Sequence, residues 1–143
     1  MGLVVLPYAI LVALISGANC ETYVSVIEEQ PSIAAVGTPE LIDPNNGATD
    51  KRVALRYITT TFYNNDDFDM PFVVFLEIRD SYGVTVYLVF HTGVLAGNGK
   101  TELGSSWLPQ ETGDYELRAF AISNFTKPVV IAQVKSTNAS VTL

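Results

Sequence analysis

From Leu3 to Ala18 the chain is apolar without a break, and after Glu21 it changes to short runs in which apolar and polar positions alternate. The first stretch, wound as a helix, is about 24 Å long, short of the usual hydrocarbon thickness but able to span a thin bilayer with Gly2 and Asn19 added. Residues 1–20 are therefore expected to be a signal sequence or a transmembrane anchor, placing residues 3–18 in a lipid bilayer as one apolar helix. Ser16, Gly17 and Ala18 offer a small-residue cleavage site, but no basic residue precedes the run, which favours an uncleaved anchor. Cys20 follows Asn19, where a lipidation motif takes Gly or Ala, so it reads as an unmodified cysteine beside the membrane.

Residues 21–143 have the period of strands. Phe72, Val74, Leu76 and Ile78 fall on one phase and Val73, Phe75, Glu77 and Arg79 on the other. Asp80-Ser81-Tyr82-Gly83 has turn chemistry, and alternation resumes with Val84, Val86, Leu88 and Phe90 against Thr85, Tyr87, Val89 and His91. A hairpin is predicted, with the first member of each pair of sets facing the core and Val73, Phe75, Tyr87 and Val89 sharing the opposite face. Upstream, Arg52 to Tyr63 is strand-like, with a slip in apolar phase between Tyr57 and Ile58 that predicts a bulge. Downstream, Leu103, Ser105 and Trp107 lie on one phase, Tyr115, Leu117, Ala119 and Ala121 on another, and Val130, Ala132 and Val134 on a third, with Trp107 and Tyr115 expected to be buried. Pieces around Tyr23–Ile27 and Glu40–Ile42 complete the sheets, confined to edges by Pro31, Pro39 and Pro44. About seven or eight short strands separated by turns predict an all-β, antiparallel, two-sheet sandwich.

Composition narrows the use of such a fold. All charged residues lie after Cys20, and the net charge of −7 makes the exported part acidic. Lys51-Arg52 is the only adjacent basic pair, so no stripe exists for a phosphate backbone and nucleic acid is not an expected partner. A single cysteine leaves the fold without an internal disulfide, and a single histidine, His91, excludes sites built from paired imidazoles. His91 reads as a surface or rim residue.

Pro71-Phe72-Val73 leads into Glu77-Ile78-Arg79-Asp80-Ser81, Gly83-Val84-Thr85 and Tyr87-Leu88, followed by Trp107-x-Pro109, Gly113-Asp114-Tyr115 and Phe120. In this order the stretch from Pro71 to Val134 resembles immunoglobulin-like modules, related in style to fibronectin type III and cell-adhesion-related domains, on surface proteins of ammonia-oxidising archaea. The resemblance implies an immunoglobulin-like sandwich on an extracellular protein and brings no active site with it. Gly113-x-Tyr115 has a physical reading of its own. A tyrosine just inside a late strand can return its hydroxyl to the backbone at the sandwich corner, with Trp107 closing the same end of the core.

The loop Asn64-Asn65-Asp66-Asp67-Phe68-Asp69 concentrates oxygen ligands, which makes Asp66, Asp67 and Asp69 a weak candidate for a hard cation; a solvated turn is the plainer reading. No cofactor and no catalytic residue is expected. Asn124-Phe125-Thr126 and Asn138-Ala139-Ser140 are glycosylation sequons, so Asn124 and Asn138 are candidate glycan sites on an exported chain. The leading expectation is a membrane-anchored structural or interaction module, an accessory subunit among other membrane or cell-surface proteins. The face of Val73, Phe75, Tyr87 and Val89 is its expected contact surface, unless an N-terminal strand or loop covers it. A secreted filament subunit assembling by strand addition through Tyr23–Ile27 is the alternative, and an enzyme or redox protein using His91 or the acidic loop comes third.

Overall fold

The computed structural model describes residues 33–44 and 55–143. The apolar run 3–18, Cys20, the strand expected at Tyr23–Ile27 and the Lys51-Arg52 pair lie outside the described residues. No helix of the described residues is long and apolar enough to cross a membrane.

The described chain is all β. Eight strands follow one another: β1 Ala34–Val36, β2 Glu40–Ile42, β3 Arg56–Asn64, β4 Met70–Arg79, β5 Thr85–Leu95, β6 Lys100–Trp107, β7 Gly113–Ile122 and β8 Val130–Val141. They form two antiparallel sheets. In the first, β3 is central, with β6 along one side and β1 and β2 end to end along the other. The second has the order β5-β4-β7-β8.

Alternation explains how the sheets meet. Ile58, Phe62, Phe72, Val74, Leu76, Ile78, Leu117, Ala119 and Ala121 are buried in a core shared by both sheets. Phe62 of the first sheet meets Phe72 of the second at 4.7 Å between ring centroids. Thr60 is also buried on the inner phase, its hydroxyl satisfied by the Gly37 carbonyl at 2.7 Å. At the far side of the layers Tyr87 reaches across, its hydroxyl 2.7 Å from Ser105 Oγ and donating to Ser106 O at 2.9 Å.

Several sequence expectations hold here. β4 keeps its predicted inner phase, β6 and β7 keep theirs, and Glu40–Ile42 is an edge strand. Trp107 and Tyr115 are buried and meet edge-on at 4.9 Å. The Tyr115 hydroxyl donates to Glu111 O at 2.8 Å. Burial, and then the carboxylates of Glu111 and Asp80, push the phenol above its ordinary pKa. Tyr115→Phe is expected to cost about 1–3 kcal/mol. An unchanged denaturation midpoint would mean that this bond contributes nothing net.

Three phase expectations are corrected. β3 has no bulge between Tyr57 and Ile58: its register with β6 runs unbroken from Arg56 to Tyr63, and Tyr57 simply faces outward. In β8, Val130 and Val134 are exposed while Ile131 and Ala132 are buried, because the pairing with β7 shifts twice between Ala119 and Ile122.

The third correction decides the site. At the hairpin end Arg79 faces Thr85, but the next pair is Ile78 with Tyr87, so Val86 is an extra residue on β5. One inserted residue reverses the faces of everything beyond it. Leu76 is then opposite Val89, and Phe75 is opposite Phe90. Tyr87 and Val89 therefore pack against the core, and Leu88 and Phe90 take the outer face.

Candidate functional site

The outer face of the second sheet is built from alternate residues of its strands. β4 supplies Val73, Phe75, Glu77 and Arg79; β7 supplies Ile122, Phe120, Arg118 and Glu116 in register with them; β5 supplies Thr92, Phe90 and Leu88 opposite Val73, Phe75 and Glu77. Of the four residues predicted to share this face, Val73 and Phe75 are on it, whereas Tyr87 and Val89 are on the other side of the sheet. Val73 is itself buried, and Phe75 is half-buried.

The half of the face away from the Asp80–Gly83 turn is aromatic. Phe75 stacks on Phe120 at 4.8 Å and 11°, and tilts against Phe90 at 6.1 Å. Phe125, carried by the β7–β8 loop, stands edge-on to Phe75 at 6.1 Å and to Phe90 at 5.2 Å. Such offset and edge-on pairs are the favoured ring arrangements, so the cluster is a packed unit and not a chance meeting. It is nonetheless open to water: Phe90 is 52% exposed, Phe125 56% and Leu88 54%. A lone antiparallel sheet normally turns polar residues to solvent on such a face.

The half near the turn is ionic. Glu77 accepts from Arg118 Nη1 at 2.7 Å, from Arg79 Nε at 2.9 Å and from the Thr85 hydroxyl at 2.5 Å. Its side chain is only 7% exposed, against 34% for Arg79 and 20% for Arg118. Burial alone would raise the Glu77 carboxyl pKa, but these hydrogen bonds and the two guanidinium charges outweigh it and leave the pKa below the ordinary carboxylate range.

Sequence reasoning missed Leu88, Phe90, Phe120 and Phe125. Phe120 carried a signal, a large aromatic on the phase opposite the inner Leu117, Ala119 and Ala121 stripe. Phe125 carried none, because it lies in a loop and only the fold brings it over Phe75.

The remaining candidates are placed as follows. Asp66 Oδ1 accepts the Asp67 N–H at 2.7 Å, and Asp67 Oδ1 accepts from Asn98 Nδ2 at 2.8 Å. No group of three Asp, Glu, His or Cys side chains that could hold a metal ion exists among the described residues. His91 is half-buried on the inner phase of β5, opposite Val74, and its Nε2 is shielded from water without a hydrogen-bond partner. Asn124 is exposed in the β7–β8 loop, where its Oδ1 accepts the Lys127 N–H at 2.8 Å. Asn138 is exposed on β8, opposite Glu116.

No family model matches this sequence, and no curated protein matches it. Among solved structures, the chain is similar to part of a β-glucuronidase from glycoside hydrolase family 2, with a TM-score of 0.55 and 12% identity over 73% of this chain and 11% of that one. Two others are a b-glucosidase from Erythrobacter marinus, at a TM-score of 0.47, 15% identity, 75% of this chain and 15% of that one, and a Pseudomonas fluorescens alkylpurine DNA glycosylase, at 0.48, 7%, 76% and 30%. The first likeness is one of fold alone, and this chain spans 11% of that enzyme's length.

Proposed function

We propose that this chain is a membrane-anchored, extracytoplasmic interaction module. In this reading an immunoglobulin-like sandwich is held to the bilayer by residues 3–18 and serves as an accessory subunit of a membrane or cell-surface assembly. The observation that carries it is the open aromatic cluster of Phe75, Phe90, Phe120 and Phe125 on the outer face of the second sheet. Apolar patches of this kind on a soluble face mark contacts with other proteins, and aromatic residues dominate the energy of such contacts. Arg79 and Arg118, only partly covered beside Glu77, would form the polar rim.

The reading gives the chain no catalytic role. Asp66 Oδ1 accepts the Asp67 N–H and Asp67 Oδ1 accepts from Asn98 of the β5–β6 loop, and the net charge of −7 disfavours nucleic acid. Glycans on Asn124 and Asn138 would project from exposed positions, that on Asn124 beside the aromatic cluster.

Phe125→Ser and Leu88→Ser test the face directly. Both side chains are more than half exposed, so each variant should stay folded, Leu88→Ser with its thermal midpoint within about 2 °C of the parent and Phe125→Ser, which loses two ring contacts, within about 8 °C. Proteins that copurify with the chain from its native membranes should fall by about tenfold or more. Retention of those partners by both variants would sink the face as the contact surface.

A further inference from the structure

The second sheet ends at β5 on one side, and β5 is unusual among the edges of this fold. Along its eleven residues, Thr85–Leu95, it carries no Asp, Glu, Lys, Arg or Pro. The other edges are guarded or short: β1 has only three residues, Glu40 lies on β2, Lys100 and Glu102 on β6, and Lys135 on β8, whose register is also broken twice. Edge strands are ordinarily blunted by such charges and bulges, because a bare edge presents unpaired N–H and C=O groups to any strand that arrives. Beyond the Val86 irregularity, β5 runs in register with β4 to Leu95, and among the described residues no strand pairs with its other side.

The strand is also complementary to itself. Laid antiparallel against a copy with Phe90 on the two-fold axis, it sets Val86 opposite Val94 of the second copy and Leu88 opposite Thr92, with Phe90 against Phe90. The other phase sets Tyr87 opposite Gly93 and Val89 opposite His91. Val86, Leu88, Phe90 and Val94 are 45%, 54%, 52% and 67% exposed, so these side chains are free to meet. For a chain of net charge −7, an uncharged strand is the side on which two copies approach with least repulsion.

We propose that β5 is the edge along which two copies of this chain pair, antiparallel and with Phe90 at the two-fold axis. The pairing makes one continuous sheet from the two four-stranded ones and joins their aromatic clusters. An isologous contact uses its edge up on both copies, so assembly stops at two. The inference shares Leu88 and Phe90 with the proposed partner face, but its readout is linkage between two copies of this chain and not loss of a copurifying protein, so either can fail without the other.

Site-specific disulfide formation tests it on the full chain in membranes, with Cys20→Ser removing the native thiol. Phe90→Cys should form a disulfide-linked pair in more than about half of the chains, because residues on the axis face their own copies at bonding distance. Val86→Cys and Val94→Cys should each stay near the yield of Val130→Cys, a comparably exposed position on the guarded edge, yet link to one another when the two variants are coexpressed. Adding Leu88→Glu to Phe90→Cys should cut the linked fraction by about tenfold, by setting carboxylates into the seam. A Phe90→Cys yield no higher than that of Val130→Cys would overturn the proposal and leave β5 to another occupant, such as residues 23–27 of a neighbouring chain. A yield unaffected by Leu88→Glu, or equal yields at positions 86, 90 and 94, would overturn the register.

Discussion

Replacing Asn64 by alanine is expected to lower stability by about 3 kcal/mol, more than any change on the exposed face. Asn64 ends β3 with a side chain that is 2% exposed. Its amide nitrogen lies 2.7 Å from Phe68 O and 3.1 Å from both Leu95 O and Ala96 O, so two protons serve three carbonyls. Its Oδ1 accepts the Asp66 N–H at 3.0 Å. The side chain thus ties the β3–β4 loop to the β5–β6 loop, and the backbone bond from Asn98 N to Asp66 O at 2.8 Å continues the seam. Alanine would strand these carbonyls away from water. Asp67→Ala, which loses only an exposed contact with Asn98, should cost less than about 1 kcal/mol. Chemical denaturation of both variants checks the contrast, and equal midpoints would show that Asn64 is not the tie.

The second large effect is pH-dependent and comes from Glu77. Its folded pKa is depressed, so the carboxylate contributes stability that is fully present above its unfolded value and is lost as the pH falls through the folded one. Glu77→Gln is therefore expected to cost about 1–3 kcal/mol at neutral pH, where it leaves Arg118 and Arg79 without their shared partner. The two proteins should converge once the pH lies below the depressed value, because the parent carboxyl is then neutral as well. Urea titrations across the acid range would decide the matter: a penalty independent of pH would place the loss in packing and not in charge.

Much of the fold was legible because the decisive strands alternate cleanly. In β4 and β7 one phase is consistently apolar, and Tyr115 stands two residues after a glycine at a strand start, so the buried phase and the corner hydroxyl could be read directly. β5 could not be read in this way. Val84, Val86, Leu88 and Phe90 are as apolar as Tyr87 and Val89, so hydropathy supports either phase. The choice is made by the extra residue at Val86, a matter of backbone register for which side-chain pattern has no symbol. The apolar outer face was therefore anticipated, but with Tyr87 and Val89 in the places that Leu88 and Phe90 occupy. Tyr57 misled for the reverse reason: a large aromatic in β3 reads as core, yet in this fold it points to solvent.

The order in which the second sheet is strung has a kinetic meaning. β4 finds β5 through the short Asp80–Gly83 turn, but its other neighbour, β7, arrives only after β5 and β6 have been made. Closing that loop costs chain entropy before any of its contacts form, so β4 is expected to join β7 after it has paired with β5. Phe75 stacks on Phe120 across this same join. The Phe75–Phe90 pair belongs to the β4–β5 hairpin, whereas Phe120 and Phe125 join it only in the step that closes the sheet. A chain still being synthesised, with β7 not yet available, therefore lacks the complete cluster.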